Sequence, residues 1–526
     1  MALGLTQTLT PLRAAALAAA AIACAPLIAV LVTATGPLAD SLTGSTFARY
    51  AGTSAVLALL VAFGAGLLGA TAAWVVAMHD FPGRRLFSWA LVTPLAAPAF
   101  VLAYGYADLF DVAGPIRTAW RAAFGWDPPF EMRSIWGAAI VLSLAFYPYV
   151  YLTMRAALLN QSTSLVEAAR SLGRSRGQAF LAATMPMARP ALAAGMALAV
   201  METLADYGAT SFLAVQTLTT GVVRAWSVFG STAEAARLAL PLLGAAAVLL
   251  LIERSSRRAA AEGGQARWRA LEPERLSGGR AAVAFLFCLL LVTLGLLLPL
   301  GWLLAKGWGA EHETGRLLAA GRNSLMLALI AAVVTTTLAG LIAFGARGYK
   351  TVSRLLSLGY ATPGAVMAVG LLAPAAVIWR LWPETVSSLI MGVTLLVLAY
   401  AARLMAAALE PIDSGLERVG RSMRGAARSL GETEAGTARR VELPIASGAL
   451  FTAALLVFVD VMKELPATVI LRPFGFDTLA VMADFYAKDE RLGEAAWPGL
   501  FLVLVALPAV IWLTRRVSTS RPGAAV

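Results

Sequence analysis

The chain has 526 residues, 59% of them hydrophobic and only 14% charged, and its mean hydropathy is +0.75. That composition excludes an ordinary soluble globular domain, whose water-facing surface needs far more charge. The formal net charge of +12 is the kind that suits a nucleic-acid partner, but the basic residues recur at intervals between apolar runs, a distribution that belongs to membrane topology.

A hydrocarbon core about 30 Å thick takes about 20 apolar residues per helix. Windows of that length predict an all-α, polytopic membrane protein with about twelve transmembrane helices. In chain order the expected spans are 13–35, 50–78, 86–107, 135–157, 190–213, 234–252, 281–305, 322–346, 354–379, 386–409, 446–470 and 496–514. The alternating ten-residue pattern of an outer-membrane barrel is not what these segments carry. The first segment is long and has little basic flank beyond Arg13, so it reads as a retained span rather than a secretory signal. Pro94 and Pro98 in the third span match Pro363 in the ninth. They read as bends set by packing, with a hinge for alternating access as the other reading.

Basic residues gather in every second loop: Arg84 and Arg85, then Arg155 to Arg189, then Arg254 to Arg280, then Arg347 to Arg354, then Arg418 to Arg440, then Arg515 to Arg521. By the positive-inside rule these loops, and with them both termini, are cytoplasmic. The intervening loops are richer in acid, with Asp108, Asp111, Asp127 and Glu131 in one and Asp477, Asp484, Asp489, Glu490 and Glu494 in another. Cys24 and Cys288 each fall inside a span, and His79 and His312 lie far apart, so no disulfide framework or zinc spacing is present in the sequence. No residue is assigned as catalytic and none as a metal ligand.

The sequence also repeats. "AARSLG" at 168–173 recurs at 426–431, an offset of 258 that persists without a gap: Pro186 meets Pro444, Glu202 meets Asp460, Asp206 meets Glu464 and Thr220 meets Thr478. Six spans per copy, an even number, make the copies parallel. The expected domains are 1–253 and 281–526, joined by a polar cytoplasmic linker at 254–280.

Each repeated motif lies between the fourth and fifth spans of its copy. Ser164 and Glu167 fit a capping box, Ala168 and Ala169 favour helix, and Gly173 suits a left-handed stop. One such segment alone reads as a capped connector, but a connector has no need to repeat its spacing. Here the chain resembles the membrane permeases of binding-protein-dependent ABC importers, whose cytoplasmic loop has Glu-Ala-Ala, three residues, Gly, and nine residues later a segment ending in Leu-Pro. Glu167, Ala168, Ala169, Gly173 and Pro186 match, as do Ala426, Ala427, Gly431 and Pro444, while Gly425 stands where the second copy lacks Glu. A capping-box pattern at Ser414 and Glu417, and the charges of Arg421, Arg424 and Arg428, are expected to compensate. The resemblance implies a pair of ATP-binding subunits docked on these loops and a periplasmic solute-binding protein on the other face. It makes this chain a translocation subunit of a bacterial inner (plasma) membrane, not an enzyme. It binds no cofactor itself, since Lys350-Thr351 lacks the glycines of a phosphate-binding loop, and ATP with Mg is used by the partner.

The segments after each motif, 201–226 and 459–480, resemble ferric iron permeases; permeases for thiamine, 2-aminoethylphosphonate and polyamines share parts of the pattern. Glu202 and Asp206, and likewise Asp460 and Glu464 with Lys463, are spaced to line one face of a helix. They are expected roughly 18–24 Å from the cytoplasmic start of the span, at 1.5 Å per residue. Two readings stand: a translocation pathway, or carboxylates paired with Lys463, Arg224 or Arg472 to hold a gate. An ion-coupled secondary transporter with two parallel halves also accounts for the buried acids, though not for two coupling-type loops.

Overall fold

The computed structural model describes residues 11–36, 44–159, 171–173, 178, 184–262, 273–311, 313–346, 350–381 and 388–519. Helix dominates, because backbone polar groups in a hydrocarbon environment must be satisfied within the segment. In chain order the first helices are α1 (Pro11–Thr33), α2 (Gly44–Met78), α3 (Arg84–Ala90), α4 (Ala99–Leu109), α5 (Pro115–Phe124), α6 (Ile135–Leu159), α7 (Met185–Ala205), α8 (Gly208–Phe212), α9 (Leu218–Ser227) and α10 (Thr232–Glu262). They are followed by α11 (Gly278–Val292), α12 (Leu298–Trp308), α13 (Thr314–Gly345), α14 (Lys350–Ala361), α15 (Gly364–Leu381) and α16 (Ser388–Glu417). The last are α17 (Arg421–Ser429), α18 (Glu434–Thr437), α19 (Leu443–Met462), α20 (Pro466–Leu471), α21 (Leu479–Lys488) and α22 (Leu492–Thr519). The one sheet among the described residues is a parallel bridge between β1 (His79–Asp80) and β2 (Glu274–Arg275), which ties the turn after α2 to the end of the linker.

Ten helical segments among the described residues are long and apolar enough to cross a membrane, and Arg84–Ala96 with Ala99–Leu109 makes eleven if that bent pair is one span. This is one fewer than expected. The expected span 190–213 is present as α7, but Arg189, Pro190 and Glu202 lower its hydropathy and the helix stops at Ala205. The expected span 86–107 is bent by 90°. Its cause is local: Ala97 precedes Pro98 and is held extended at φ −90° and ψ 127°, since a proline disfavours helical geometry in the residue before it. Two wide π turns, Thr293–Leu297 and Ala438–Glu442, lie just ahead of Pro299 and Pro444. Proline cannot donate its missing N–H and crowds the carbonyl four residues back, and a wider turn relieves both problems.

Two compact units emerge, one of residues 1–41, 222–243 and 318–478, the other of 42–221, 244–317 and 479–526. Compactness therefore divides the chain differently from the sequence repeat, and each unit draws on both copies. In the first unit α1 packs on α15 and α16, and α16 on α19. In the second, α2, α6 and α7 pack together while α12 packs on α4 and α22. The buried face of α1 is Ala16, Ala19, Ala20, Ala23 and Val30, whereas Leu17, Ile28, Leu31 and Val32 are exposed. Small side chains inside and large apolar ones outside are what lipid contact selects, since close approach rather than water exclusion drives such helices together.

Candidate functional site

The second repeated motif forms α17. The helix begins at Gly420, whose extended backbone carries no side-chain cap, and ends at Leu430. Gly431 follows at φ +89°, and Glu432 N–H donates to Ala427 O at 3.1 Å, closing the last turn. Gly173 has the same left-handed backbone at φ +82°, as the sequence led us to expect. Glu167, Ala168 and Ala169 lie outside the described residues. Pro186 and Pro444 both sit in the first turn of the next long helix, α7 and α19. On α17, Ala427 is buried, while Ala426, Met423 and Leu430 are exposed.

One expectation about this segment is overturned. Ser414 lies inside α16 and Glu417 is its last residue, so they form no capping box at the start of a helix. Two of the arginines pair within the chain. Arg424 Nε pairs with Glu442 at 2.8 Å, and Arg428 Nη2 with Glu434 at 3.0 Å, where Glu434 also meets Arg13 Nη2 at 3.0 Å. The reason is the reversal at Gly431, which folds the acidic residues beyond it back along the helix. Glu434 thereby links α1 to this segment.

The acidic stripes are also corrected. Glu202 lies in α7 and Asp460 in α19, but Asp206 and Glu464 lie beyond the helix ends, so neither pair continues one helix face. Asp206 Oδ1 accepts the Thr210 N–H at 2.8 Å, at the start of α8. Glu464 accepts the N–H groups of Ala467 at 3.1 Å and Thr468 at 3.2 Å, at the start of α20. In both, the threonine hydroxyl returns to the acid's own carbonyl, at 3.0 Å from Thr210 and 2.8 Å from Thr468. A carboxylate that satisfies exposed N–H groups of a new helix competes with continuing the old one. Each fifth span is thus broken and restarted by a capping acid.

The partners of these acids differ from those expected. Lys463 does pair with Asp460, Nζ to Oδ1 at 3.0 Å. Arg472 pairs instead with Asp477, and Arg224 lies over the Phe229 ring at 5.7 Å from its centroid. Glu464 is met by Arg403 Nη1 of α16 at 3.4 Å, and Tyr400 OH lies 2.6 Å from Thr468 Oγ1. The sequence reading missed Tyr400 and Arg403.

A second buried cluster was missed in the other unit. Lys488 Nζ binds Asp484 Oδ2 at 2.7 Å and donates to Tyr207 OH at 2.9 Å, and Tyr104 OH donates to Asp484 Oδ1 at 3.3 Å. Asp484 had been read as part of an acidic loop, but its side chain is only 7% exposed. The i, i+4 spacing of Asp484 and Lys488 was the available signal. Among the described residues, no group of three or more His, Cys, Asp or Glu side chains is placed to hold a metal ion.

The turns at Gly173 and Gly431 and the breaks at Asp206 and Glu464 recur at one offset, and comparison with known proteins shows what the chain resembles. Residues 65–303 match the family described as the binding-protein-dependent transport system inner membrane component. Through that region the chain is similar to this family. It is 26% identical over 461 residues to the Fe(3+)-transport system permease protein FbpB 2 of Haemophilus influenzae, covering 85% of this chain and 86% of that protein. It is 33% identical over 150 residues to the sulfate transport system permease protein CysT of Escherichia coli, covering 28% of this chain and 52% of that protein. It is 28% identical over 186 residues to the molybdenum transport system permease protein ModB of E. coli, covering 34% and 80%. The chain is a multi-pass inner-membrane permease component of a transport system, a role distinct from ATP hydrolysis. Oxyanion permeases are relatives that the motif reading had not weighed.

Proposed function

We propose that this permease moves ferric iron, delivered by a periplasmic binding protein, into the cytoplasm, driven by two ATP-binding subunits docked on the segments around Gly173 and α17. The observation that carries the substrate is the similarity to a ferric iron permease across 85% of the chain, where the oxyanion permeases match about a third or less. Doubled coupling segments support two docking sites, and the recurrence of turn, proline and acid-capped break supports 1–253 and 281–526 as two copies. Both termini and the coupling segments are cytoplasmic in this reading, by the distribution of arginine.

Transport then proceeds by alternating access. The ATP-bound partners and the loaded binding protein favour an outward-open state, and hydrolysis returns the chain to the inward-open one, a population shift driven by differential binding. The coupling segments transmit that shift to α7 and α19, which each follows directly in sequence. The broken fifth spans and their acids stand along or beside the pathway in this scheme. Glu202, Asp206, Asp460, Lys463 and Glu464 hold its shape through caps and ion pairs, and no tight metal site is assigned to them.

The test is uptake into proteoliposomes holding the chain with its ATPase and binding protein. Ferric iron should accumulate only with ATP inside the cytoplasmic-side compartment, while sulfate and molybdate should not. Accumulation of either oxyanion in place of iron would move the assignment to the oxyanion class. Uptake on a proton or sodium gradient without ATP would overturn the ATP-driven reading altogether.

A further inference from the structure

We propose that the apolar cavity between α2, α6 and α7 is a phospholipid site, seating one acyl chain with an anionic headgroup against Arg189. The cavity measures about 370 Å³, within the roughly 300–1,000 Å³ of small-ligand sites. Phe63, Leu67, Ala70 and Trp74 line it from α2, and Met154 of α6 with Met185 and Met196 of α7 line it from the neighbouring helices. All belong to one compact unit. A Cβ on Gly66 would lie 3.3 Å from Met196 Sδ, so the glycine sets how near α7 comes, and the small Ala70 one turn on leaves the space unfilled.

None of the residues lining the cavity is charged. Ferric iron or an oxyanion finds no counter-charge there, so the cavity is separate from the path of a charged cargo. What suits such walls is hydrocarbon. Methionine is unbranched and polarisable, and three of them let the lining follow a flexible chain. The depth agrees: Phe63 to Trp74, and Met185 to Met196, each span roughly 16 Å at 1.5 Å per residue, close to one leaflet's half of a core about 30 Å thick.

Lipid is the occupant because the cavity adjoins the lipid-facing stripe of a membrane span. Val56, Leu59, Phe63, Leu67, Ala70 and Trp74 recur every three or four residues, so they form one face of α2, a helix long and apolar enough to cross the membrane. Leu59 is 71% exposed, Phe63 72% and Leu67 57%, and the last two also line the cavity. Large apolar side chains left uncovered on a span are its lipid-contacting side. The headgroup assignment comes from α7, where Met185, Arg189 and Met196 lie within about 40° of one another around the helix axis. Arg189 is exposed and, among the described residues, meets no carboxylate. Helical side chains lean toward the N-terminus, so its guanidinium rests at headgroup level while its stem stays on the apolar wall.

The test is native mass spectrometry of the full chain in detergent, titrated separately with phosphatidylglycerol and phosphatidylethanolamine. The first phosphatidylglycerol should bind several-fold more tightly than the first phosphatidylethanolamine. Ala70→Phe fills the cavity and should weaken that first binding several-fold, whereas Val56→Phe, on the same stripe outside the cavity, should leave it unchanged. Arg189→Gln should bring the two lipids close to equal. Equal loss in Ala70→Phe and Val56→Phe, no loss in either, or an undiminished preference in Arg189→Gln would overturn the proposal. So would a small membrane polypeptide that co-purifies with the native chain and is lost from Ala70→Phe, which would make the cavity a protein-docking site. Should Ala70→Phe fail to fold, one equivalent of phosphatidylglycerol brominated on its acyl chain decides the same point in detergent. The quenched share of tryptophan fluorescence should fall in Trp74→Phe, and an unchanged share counts against the site.

Discussion

Glu464 and Asp206 occupy the same place in two similar breaks, yet they differ in length by one methylene. The surroundings differ in the opposite sense. A Cβ on Gly364, the first residue of α15, would come within 2.1 Å of Glu464 Oε1. The corresponding junction of the first copy is Pro98-Ala99, which opens α4 and carries a Cβ where the second copy has none. The packing is otherwise alike, α8 on α4 and α20 on α15. Gly364→Ala should therefore push Glu464 off its caps and cost about 1–3 kcal/mol, the range for overpacking. The double variant Gly364→Ala with Glu464→Asp should recover most of that loss, and Asp206→Glu should likewise be rescued by Ala99→Gly. Thermal unfolding of the purified chain measures both swaps, and double variants no better than the single ones would show that length and space are not traded. Arg403 belongs to the same site. Arg403→Leu should be worse than a surface change, about 3–5 kcal/mol, because it leaves a buried carboxylate without its cation.

Within the element α17, the two glycines do different work. Gly431 is held at a positive φ that costs about 1–2 kcal/mol for a residue with a Cβ, so Gly431→Val should lower stability and uncouple ATPase activity from uptake. Gly425 is mid-helix, and a Cβ there meets nothing within 4 Å. Gly425→Glu should be tolerated and should strengthen the helix, since Gly is about 1 kcal/mol worse than Ala in such a position. Loss of coupling in Gly425→Glu as deep as in Gly431→Val would mean that the docked surface needs a bare backbone there. Arg428 is 60% exposed in its pair with Glu434, so Arg428→Ala should cost at most about 1 kcal/mol. Unfolding curves together with ATPase rates of the reconstituted complex separate these three outcomes.

For the whole molecule, sequence repeat and compact unit are different divisions. One unit combines 1–41 and 222–243 with 318–478, so residues from the first copy help build a core made mostly by the second. Helix α1 is the clearest case, packing on α15 and α16. Either copy expressed alone should leave apolar faces such as Ala16, Ala19 and Ala23 without their partners and should be degraded or aggregate. Chains 1–262 and 273–526 expressed together should restore a stable pair, because the polar linker adds little packing of its own. Recovery of one half alone as a stable, monodisperse species would contradict this account.

Composition and local chemistry were enough to determine that this is a helical membrane protein, where its apolar segments lie, and where Gly431 and Gly173 turn the chain. Hydropathy sums over neighbouring residues, and a left-handed turn needs only a glycine at the right place, so both are written locally. The breaks at Asp206 and Glu464 were not legible in the same way. An acid four residues after another satisfies a helix face and a helix cap equally well, and only the approach of α8 to α4 and α20 to α15 decided for the cap. Ion partners were hidden for a further reason. Arg403 lies 61 residues from Glu464, Tyr104 lies 380 from Asp484 and Tyr207 lies 281 from Lys488. Such pairs form because burial of a charge demands a counter-charge or a hydroxyl, and which one answers is set by the helices that tertiary packing brings alongside.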